Sequence, residues 1–243
     1  MAKKSQPNDI SRRDFLQWLG AGAVLGLSGA ALVSCGSEND SGITTVPDGP
    51  GEYPFQPGDT LGDVFKYWGE RTVDPQDLEY ILANWKLRVD GLVDRPATYS
   101  FADLVALPQV DQIMDFHCVE GWSIYDVPWN GLHISELLDR SGRQQGITHV
   151  TFHTIDGHYN ESLPIDIALE AHTLLAYGIA GNTIPFKHGF PLRVVIPRLL
   201  AYKSAKYIDR IEFTNGPVEG FWVERGYPYD ADVPEDRLRN GRY

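Results

Sequence analysis

Asp115-Phe116-His117-Cys118-Val119-Glu120-Gly121-Trp122 carries the thiol best suited to chemistry in this 243-residue chain. The chain has two cysteines, and the other, Cys35, closes a short apolar run near the N-terminus. If that end is removed or modified, Cys118 has no internal disulfide partner. It is then an inert buried residue or a working thiolate. His117 stands beside it. An imidazole titrates near neutral pH and can give up a proton, or it can pack as a neutral ring. Arg193 lies inside the apolar run 192–196. A guanidinium there needs an anion, either an internal carboxylate or a ligand. Lys203-Ser204-Ala205-Lys206 forms a basic turn, which is a solvated loop or an anion cradle.

The elements that must position these residues are short. Residues 85–91 alternate apolar and polar, a strand ending in a turn at Gly91, and 96–99 begin another extended piece. Ser100-Phe101-Ala102-Asp103 has capping-box spacing and opens a helix through Leu107, which Pro108 stops. Residues 110–118 read as a strand that delivers Cys118 to a loop at 119–122. Helical spacing over 134–141 puts Ile134, Leu137 and Leu138 on one face. Strands are expected at 150–154, 192–196 and 208–213, a helix at 167–171, and an apolar segment at 174–177. Asp63 to Trp68 reads as a loop or helix start. There is no internal repeat and no βαβ rhythm, so the fold class is α+β.

The N-terminus has a basic region, Ser11-Arg12-Arg13-Asp14-Phe15-Leu16, and then an apolar run over 18–33 that is short for a membrane span. The arginine pair resembles a twin-arginine export signal, with Gln17 where a lysine is common. Leu32-Val33-Ser34-Cys35-Gly36 resembles a lipobox, which makes Cys35 a lipidation site and 1–34 a signal peptide. Residues 35–53 are polar and turn-forming and read as a flexible tether. Residues 54–243 suit a single domain. A net charge of −12 leaves no nucleic-acid footprint; it gives a soluble surface or steers a basic redox partner.

Three segments carry a resemblance. The first is Cys118-Val119-Glu120-Gly121-Trp122-Ser123 with Val127-Pro128-Trp129-Asn130-Gly131. The second is Leu174-Leu175-Ala176-Tyr177-Gly178 with Asn182, Pro185 and His188-Gly189-Phe190-Pro191-Leu192-Arg193. The third is Val195-Ile196-Pro197 with Lys203 and Lys206. In this order and spacing the chain resembles the molybdopterin-dependent oxidoreductases of the sulfite-oxidase fold. Within them it is most similar to the YedY-like catalytic subunits of protein-methionine-sulfoxide reductases. The resemblance implies a mixed-sheet molybdopterin-binding domain. It implies that the Cys118 thiolate binds molybdenum beside a pterin dithiolene, where soft sulfur suits a redox metal. Arg193 and the turn Lys203, Ser204, Ala205 and Lys206 correspond to the phosphate-binding region, and Thr154 to a cofactor contact at a strand end. His188 stands where relatives have asparagine. Lys66 and Tyr67 stand where relatives have Tyr-Glu, so only a backbone role carries over, and Asp63 is a further candidate contact. His117 replaces an arginine and is a candidate proton donor or substrate contact. Glu120 is expected to order the loop beneath the metal.

His149, His153, His158, His172 and His188 fall on separate segments without HExxH or regular CxxC spacing, so zinc is not indicated. With neither a haem CxxCH nor iron–sulfur cysteines, a separate haem- or quinol-linked electron carrier is implied. Trp122, Tyr125 and Trp129 are candidates for the walls of the active-site mouth, and 222–243 reads as a peripheral extension. The implied reaction is two-electron oxygen-atom transfer. Sulfite, a dianion, calls for clustered arginines; a neutral sulfoxide, methionine sulfoxide among them, does not. The expected reaction is therefore reduction of a neutral oxygenated substrate. A sulfite dehydrogenase passing electrons to a cytochrome is the alternative, and a non-catalytic lipid-anchored binding module the second.

Overall fold

The computed structural model describes residues 81–155 and 157–239. The arginine pair, Cys35, the tether, Asp63, Lys66 and Tyr67 lie outside the described residues, as do the domain limits expected at residues 34 and 54.

After a helical turn at 81–84, the strands are β1 (Lys86–Gly91), β2 (Ala97–Ser100), β3 (Val110–His117), β4 (Ser123–Leu132), β5 (His149–Thr154), β6 (Asn160–Pro164), β7 (Leu174–Ile179), β8 (Asn182–Thr183), β9 (Arg193–Val195) and β10 (Ile208–Thr214). Three short helices accompany them: α1 (Phe101–Val105), α2 (Ile134–Ser141) and α3 (Ile165–Ala168). One sheet runs β2-β1-β10-β5-β6, and β1 and β10 are parallel. The other runs β3-β4-β7-β8 with β9 on β7, all antiparallel. Mixed pairing with a few short helices is the α+β arrangement expected.

Local chemistry explains the start of the first sheet. In β1, Leu87 and Val89 are fully buried while Lys86 and Arg88 face out. Gly91 ends the strand at φ +84°, and a Cβ there would lie 2.2 Å from the Phe213 carbonyl oxygen, so only glycine fits. The capping box is present: the Asp103 amide donates to Ser100 Oγ at 3.2 Å, and the Ser100 amide to Asp103 Oδ2 at 2.9 Å. Behind α1, Trp85 packs edge-on against Phe101, and its indole donates to the Ile208 carbonyl at 3.1 Å. In α2, Ile134, Leu137 and Leu138 point inward, as the spacing predicts.

Two apolar clusters flank β7 and β9. The larger holds Leu87, Val89, Phe101, Phe152, Leu175, Val194 and Ile211. The smaller holds Met114, Trp129, Leu174, Ala176, Ile184 and Val195. Both faces of β9 are therefore covered, which is why 192–196 reads as an unbroken apolar run.

Several elements differ from the sequence reading. β4 is a ten-residue strand, whereas only a motif was expected there. Pro128 lies within it, Asp126 takes φ +55°, and the register slips between Met114 and Phe116, so no clean alternation survives. β6 was not expected either. α3 starts at Ile165, two residues early, and stops at Ala168 instead of 171. Thr173 ends it by donating its hydroxyl to the Ile167 carbonyl at 2.8 Å.

Candidate active site

β3 delivers Cys118 into the turn that leads to β4. The Cys118 amide donates to the Trp122 carbonyl at 2.9 Å, and the Gly121 amide, at φ +98°, to the Cys118 carbonyl at 3.1 Å. The thiol is free and half-buried. Glu120 accepts from the Trp122 indole at 3.0 Å and lies 3.9 Å from Cys118 Sγ. Glu120 thus holds the indole at the loop's far end. Val119, Trp122, Ile124 and Tyr125 are all more than two-fifths exposed around the thiol.

His117 is placed differently from a group open to substrate. It is 1% exposed. Its Nδ1 lies 2.8 Å from Ser123 Oγ, its ring meets Tyr125 edge-on, and its Nε2 is buried with no hydrogen-bond partner. Burial, with Arg237 nearby, lowers its pKa against the opposing pull of Asp115.

Phe116, two residues before Cys118 on β3, packs against the cationic part of the site. The Arg193 guanidinium sits 4.8 Å from the Phe116 ring centroid and 5.4 Å from that of Trp129. Arg193 donates to the carbonyls of His188 (2.9 Å), Ser204 (3.2 Å) and Val194 (3.4 Å). Those bonds use three of the five N–H groups that a guanidinium carries. Its partners among the described residues are carbonyls and rings, with no carboxylate. Among the described residues, then, the internal salt bridge that the sequence left open is not made, and burial lowers the Arg193 pKa to about 10.

The neighbouring candidates converge here. Lys206 forms a β-bridge with Arg193, and its ammonium donates to the Lys187 carbonyl at 3.2 Å. Gly189 packs against both, and a Cβ there would lie 3.0 Å from Arg193 Cβ and 3.2 Å from Lys206 Cβ. The His188 pKa is lowered by partial burial of its ring and then by Lys187, Arg193 and Lys206. The Ser204 hydroxyl accepts from the Ile196 amide at 3.3 Å, and the Ala205 carbonyl from the Val194 amide at 3.0 Å. Thr154 is buried at the end of β5 opposite Ile208, its hydroxyl donating to the Tyr159 carbonyl at 2.8 Å. The next amide, Ile155, donates to the Tyr207 carbonyl at 3.0 Å, tying β5 to the basic turn.

Lys203 points elsewhere. Its ammonium lies 2.8 Å from Glu161 Oε1, with side-chain exposures of 1% and 0%, and 4.1 Å from the centroid of Tyr229. Its charge is spent on an interior ion pair, which leaves its backbone for the turn.

The profile of the oxidoreductase molybdopterin-binding domain family matches residues 73–222. The chain belongs to this family. Among its relatives is YuiH, an uncharacterized oxidoreductase of Bacillus subtilis, 38% identical over 151 residues that cover 62% of this chain and 76% of YuiH. MsrP of Ralstonia nicotianae, a protein-methionine-sulfoxide reductase catalytic subunit, is 31% identical over 70% of this chain and 56% of its own. The chain thus spans little more than half of that relative. Among solved structures, the sulfane dehydrogenase SoxCD of Paracoccus pantotrophus superposes with a TM-score of 0.53, at 20% identity, over 62% of this chain and 41% of its own. That likeness establishes the sulfite-oxidase-type fold.

Family membership makes the protein a molybdopterin-dependent oxidoreductase, so the non-catalytic module falls away. The residues present suit the cofactor. A buried guanidinium with no carboxylate partner among the described residues, beside Lys206 and a glycine-packed turn, provides for an anionic group. Among the described residues no three His, Cys, Asp or Glu side chains group to hold a metal ion. A dithiolene-bearing cofactor brings ligands of its own and asks the chain for one soft sulfur.

The sequence reading missed Phe116 as a ring beneath the Arg193 guanidinium, and it placed 222–243 at the periphery. Arg237 in fact donates to the Cys118 carbonyl at 2.9 Å, the Trp122 carbonyl at 2.7 Å and Ser123 Oγ at 3.0 Å. Arg239 pairs with Asp115 at 2.6 Å and Asp126 at 2.9 Å and lies over Tyr125. No motif marks these arginines; they reach the loop from more than 110 positions away.

Proposed function

We propose that this oxidoreductase reduces a neutral sulfoxide, methionine sulfoxide being the first candidate, by the net reaction of sulfoxide, two electrons and two protons to thioether and water. The observation that carries this reading is the surface around Cys118. It offers Val119, Trp122, Ile124 and Tyr125, and the nearby arginines are committed: Arg237 to carbonyls and a hydroxyl, Arg239 to Asp115 and Asp126. Arg198, a further arginine of the described residues, is bound to Glu170 at 2.7 Å and Asp232 at 3.3 Å. An apolar, aromatic mouth suits a thioether-like group and gives sulfite little to bind. The name of the Ralstonia relative, a protein-methionine-sulfoxide reductase catalytic subunit, agrees with this choice.

When bound, the molybdenum–pterin group supplies a two-electron redox centre. Cys118 gives up its proton and offers its sulfur to the metal. Arg193, Lys206, the Ser204-Ala205 backbone, His188 and Thr154 would hold the pterin and its phosphate. Trp122 and Tyr125 shield the reacting group from water. His117, buried and kept neutral by its surroundings, braces the loop through Ser123 in preference to delivering protons, which come from solvent. The chain is exported by the twin-arginine route and held by lipid on Cys35 at the outer face of the cytoplasmic membrane or in the periplasm. There a separate haem- or quinol-linked membrane carrier supplies the electrons. Anchoring keeps the two partners at high effective concentration.

The test is a pair of assays on the molybdenum-loaded protein and Cys118→Ser. We expect viologen-driven reduction of methionine sulfoxide by wild type, lost in the variant together with a changed metal spectrum. Oxidation of sulfite by wild type, with no sulfoxide turnover, would refute the assigned direction.

A further inference from the structure

We propose that Arg237 is a positioning residue that fixes the Cys118 turn, and through it the direction of the sulfur. This rests on Cys118 being the metal ligand. The turn 118–122 has two internal backbone hydrogen bonds and a glycine at positive φ, and its side chains are largely exposed. Such a loop has little stability of its own. Arg237 adds three bonds from one guanidinium, to the carbonyls at both ends of the turn and to the hydroxyl of Ser123. A planar fork holds three acceptors in a fixed relation, which a single-point ammonium does not.

The brace extends one residue further. An arginine only donates, so Ser123 Oγ accepts from Arg237 and keeps its own proton to donate. His117 Nδ1, 2.8 Å away, is the acceptor in reach. Arg237 thus also orients the residue on the other side of Cys118. The segment is seated independently. The Arg237 amide donates to the Pro234 carbonyl at 2.9 Å, and the Val233 amide to the Arg198 carbonyl at 2.9 Å. Arg239 pins its far end to Asp115 and Asp126. Arg237 lies beyond the family's matched region, which ends at residue 222.

The experiment compares the loaded full chain as wild type, Arg237→Ala, Arg237→Lys, Arg239→Gln and Cys118→Ser. It reads molybdenum content, the electron paramagnetic resonance of the half-reduced metal, and amide hydrogen exchange of the 118–123 segment. Arg237→Ala is expected to keep its melting temperature close to wild type, to give a shifted or split resonance, and to exchange at 118–123 about tenfold faster, roughly the factor that one charge-assisted hydrogen bond provides. Arg237→Lys should restore part of both, and Arg239→Gln should leave the resonance unchanged. If Arg237→Ala takes up no metal, exchange is read on the unloaded full chain: faster exchange confined to 118–123 supports the assignment, and wild-type exchange overturns it. A wild-type resonance in Arg237→Ala, or equal shifts in Arg237→Ala and Arg239→Gln, also overturns it. If Cys118→Ser keeps the wild-type resonance, it is the ligand reading that fails, which separates the two failures.

Discussion

Replacing Lys203 by methionine separates two uses of one cation. By resemblance Lys203 belongs to a phosphate-binding turn, but its ammonium lies 2.8 Å from Glu161 with both side chains at or below 1% exposure. Two unit charges at that separation attract by roughly 6 kcal/mol at an effective dielectric near 20, before the desolvation of each is subtracted. Breaking such a buried pair from one side costs about 3–5 kcal/mol, because the remaining charge stays buried without compensation. Methionine keeps most of the volume but loses the cation over Tyr229 as well. For a chain of this size the loss corresponds to a melting-temperature drop of roughly 6–20 °C. The pH dependence has a definite sign. Burial already raises the Glu161 pKa, with Lys203 opposing it. Without Lys203 the rise is greater, so the folded variant binds a proton that the unfolded chain has released. The variant's stability relative to wild type is then retained below the ordinary glutamate range and lost as pH rises through the elevated pKa. Denaturation of the unloaded chain at pH 5 and pH 8, beside Glu161→Gln and the double variant, reads this directly. The double variant should recover at least about half of the loss, since no lone buried charge remains. Unchanged stability of Lys203→Met, combined with lost molybdenum, would show that the ammonium serves the cofactor and that the ion-pair reasoning is wrong.

Arg193→Met should reduce molybdenum occupancy at least about tenfold in metal analysis, since one charge-assisted contact to phosphate is worth about that factor or more. In the unloaded chain, burial lowers the Arg193 pKa to about 10, so stability rises with pH above that value, because the unfolded chain holds the proton longer. The rise should be absent from the Arg193→Met curve itself, and a flat wild-type curve would contradict the burial argument. Ser100→Ala removes the helix cap and should cost about 0.5–2 kcal/mol in urea denaturation. Asp103 has its pKa lowered by its side-chain and backbone hydrogen bonds with Ser100, so its contribution is present above the ordinary carboxylate value and fades as pH falls through the lowered one. The Ser100→Ala deficit should therefore shrink in acid; a deficit independent of pH would show that the cap is not formed in solution.

The sequence by itself determined whatever depends on near neighbours. The capping box at Ser100–Asp103, the inward face of Ile134, Leu137 and Leu138, and the buried alternation of β1 rest on contacts within four residues or on period-two patterning. The family, and with it the cofactor, was legible because Cys118, Arg193 and their flanking segments keep a fixed order and spacing. The edges of β4 and α3 were not legible, because a proline, a positive φ and a slipped register are held by pairing with other strands and leave no periodic trace. Tertiary structure alone decided the direction of each cation. Arg193 and Lys203 are both basic residues near one turn, yet one faces carbonyls and rings and the other a buried carboxylate. Only folding brings Glu161 to Lys203 across 42 positions and Arg237 to Cys118 across 119. The energy of a buried charge depends on what chain topology places beside it, and neither spacing nor composition carries that information.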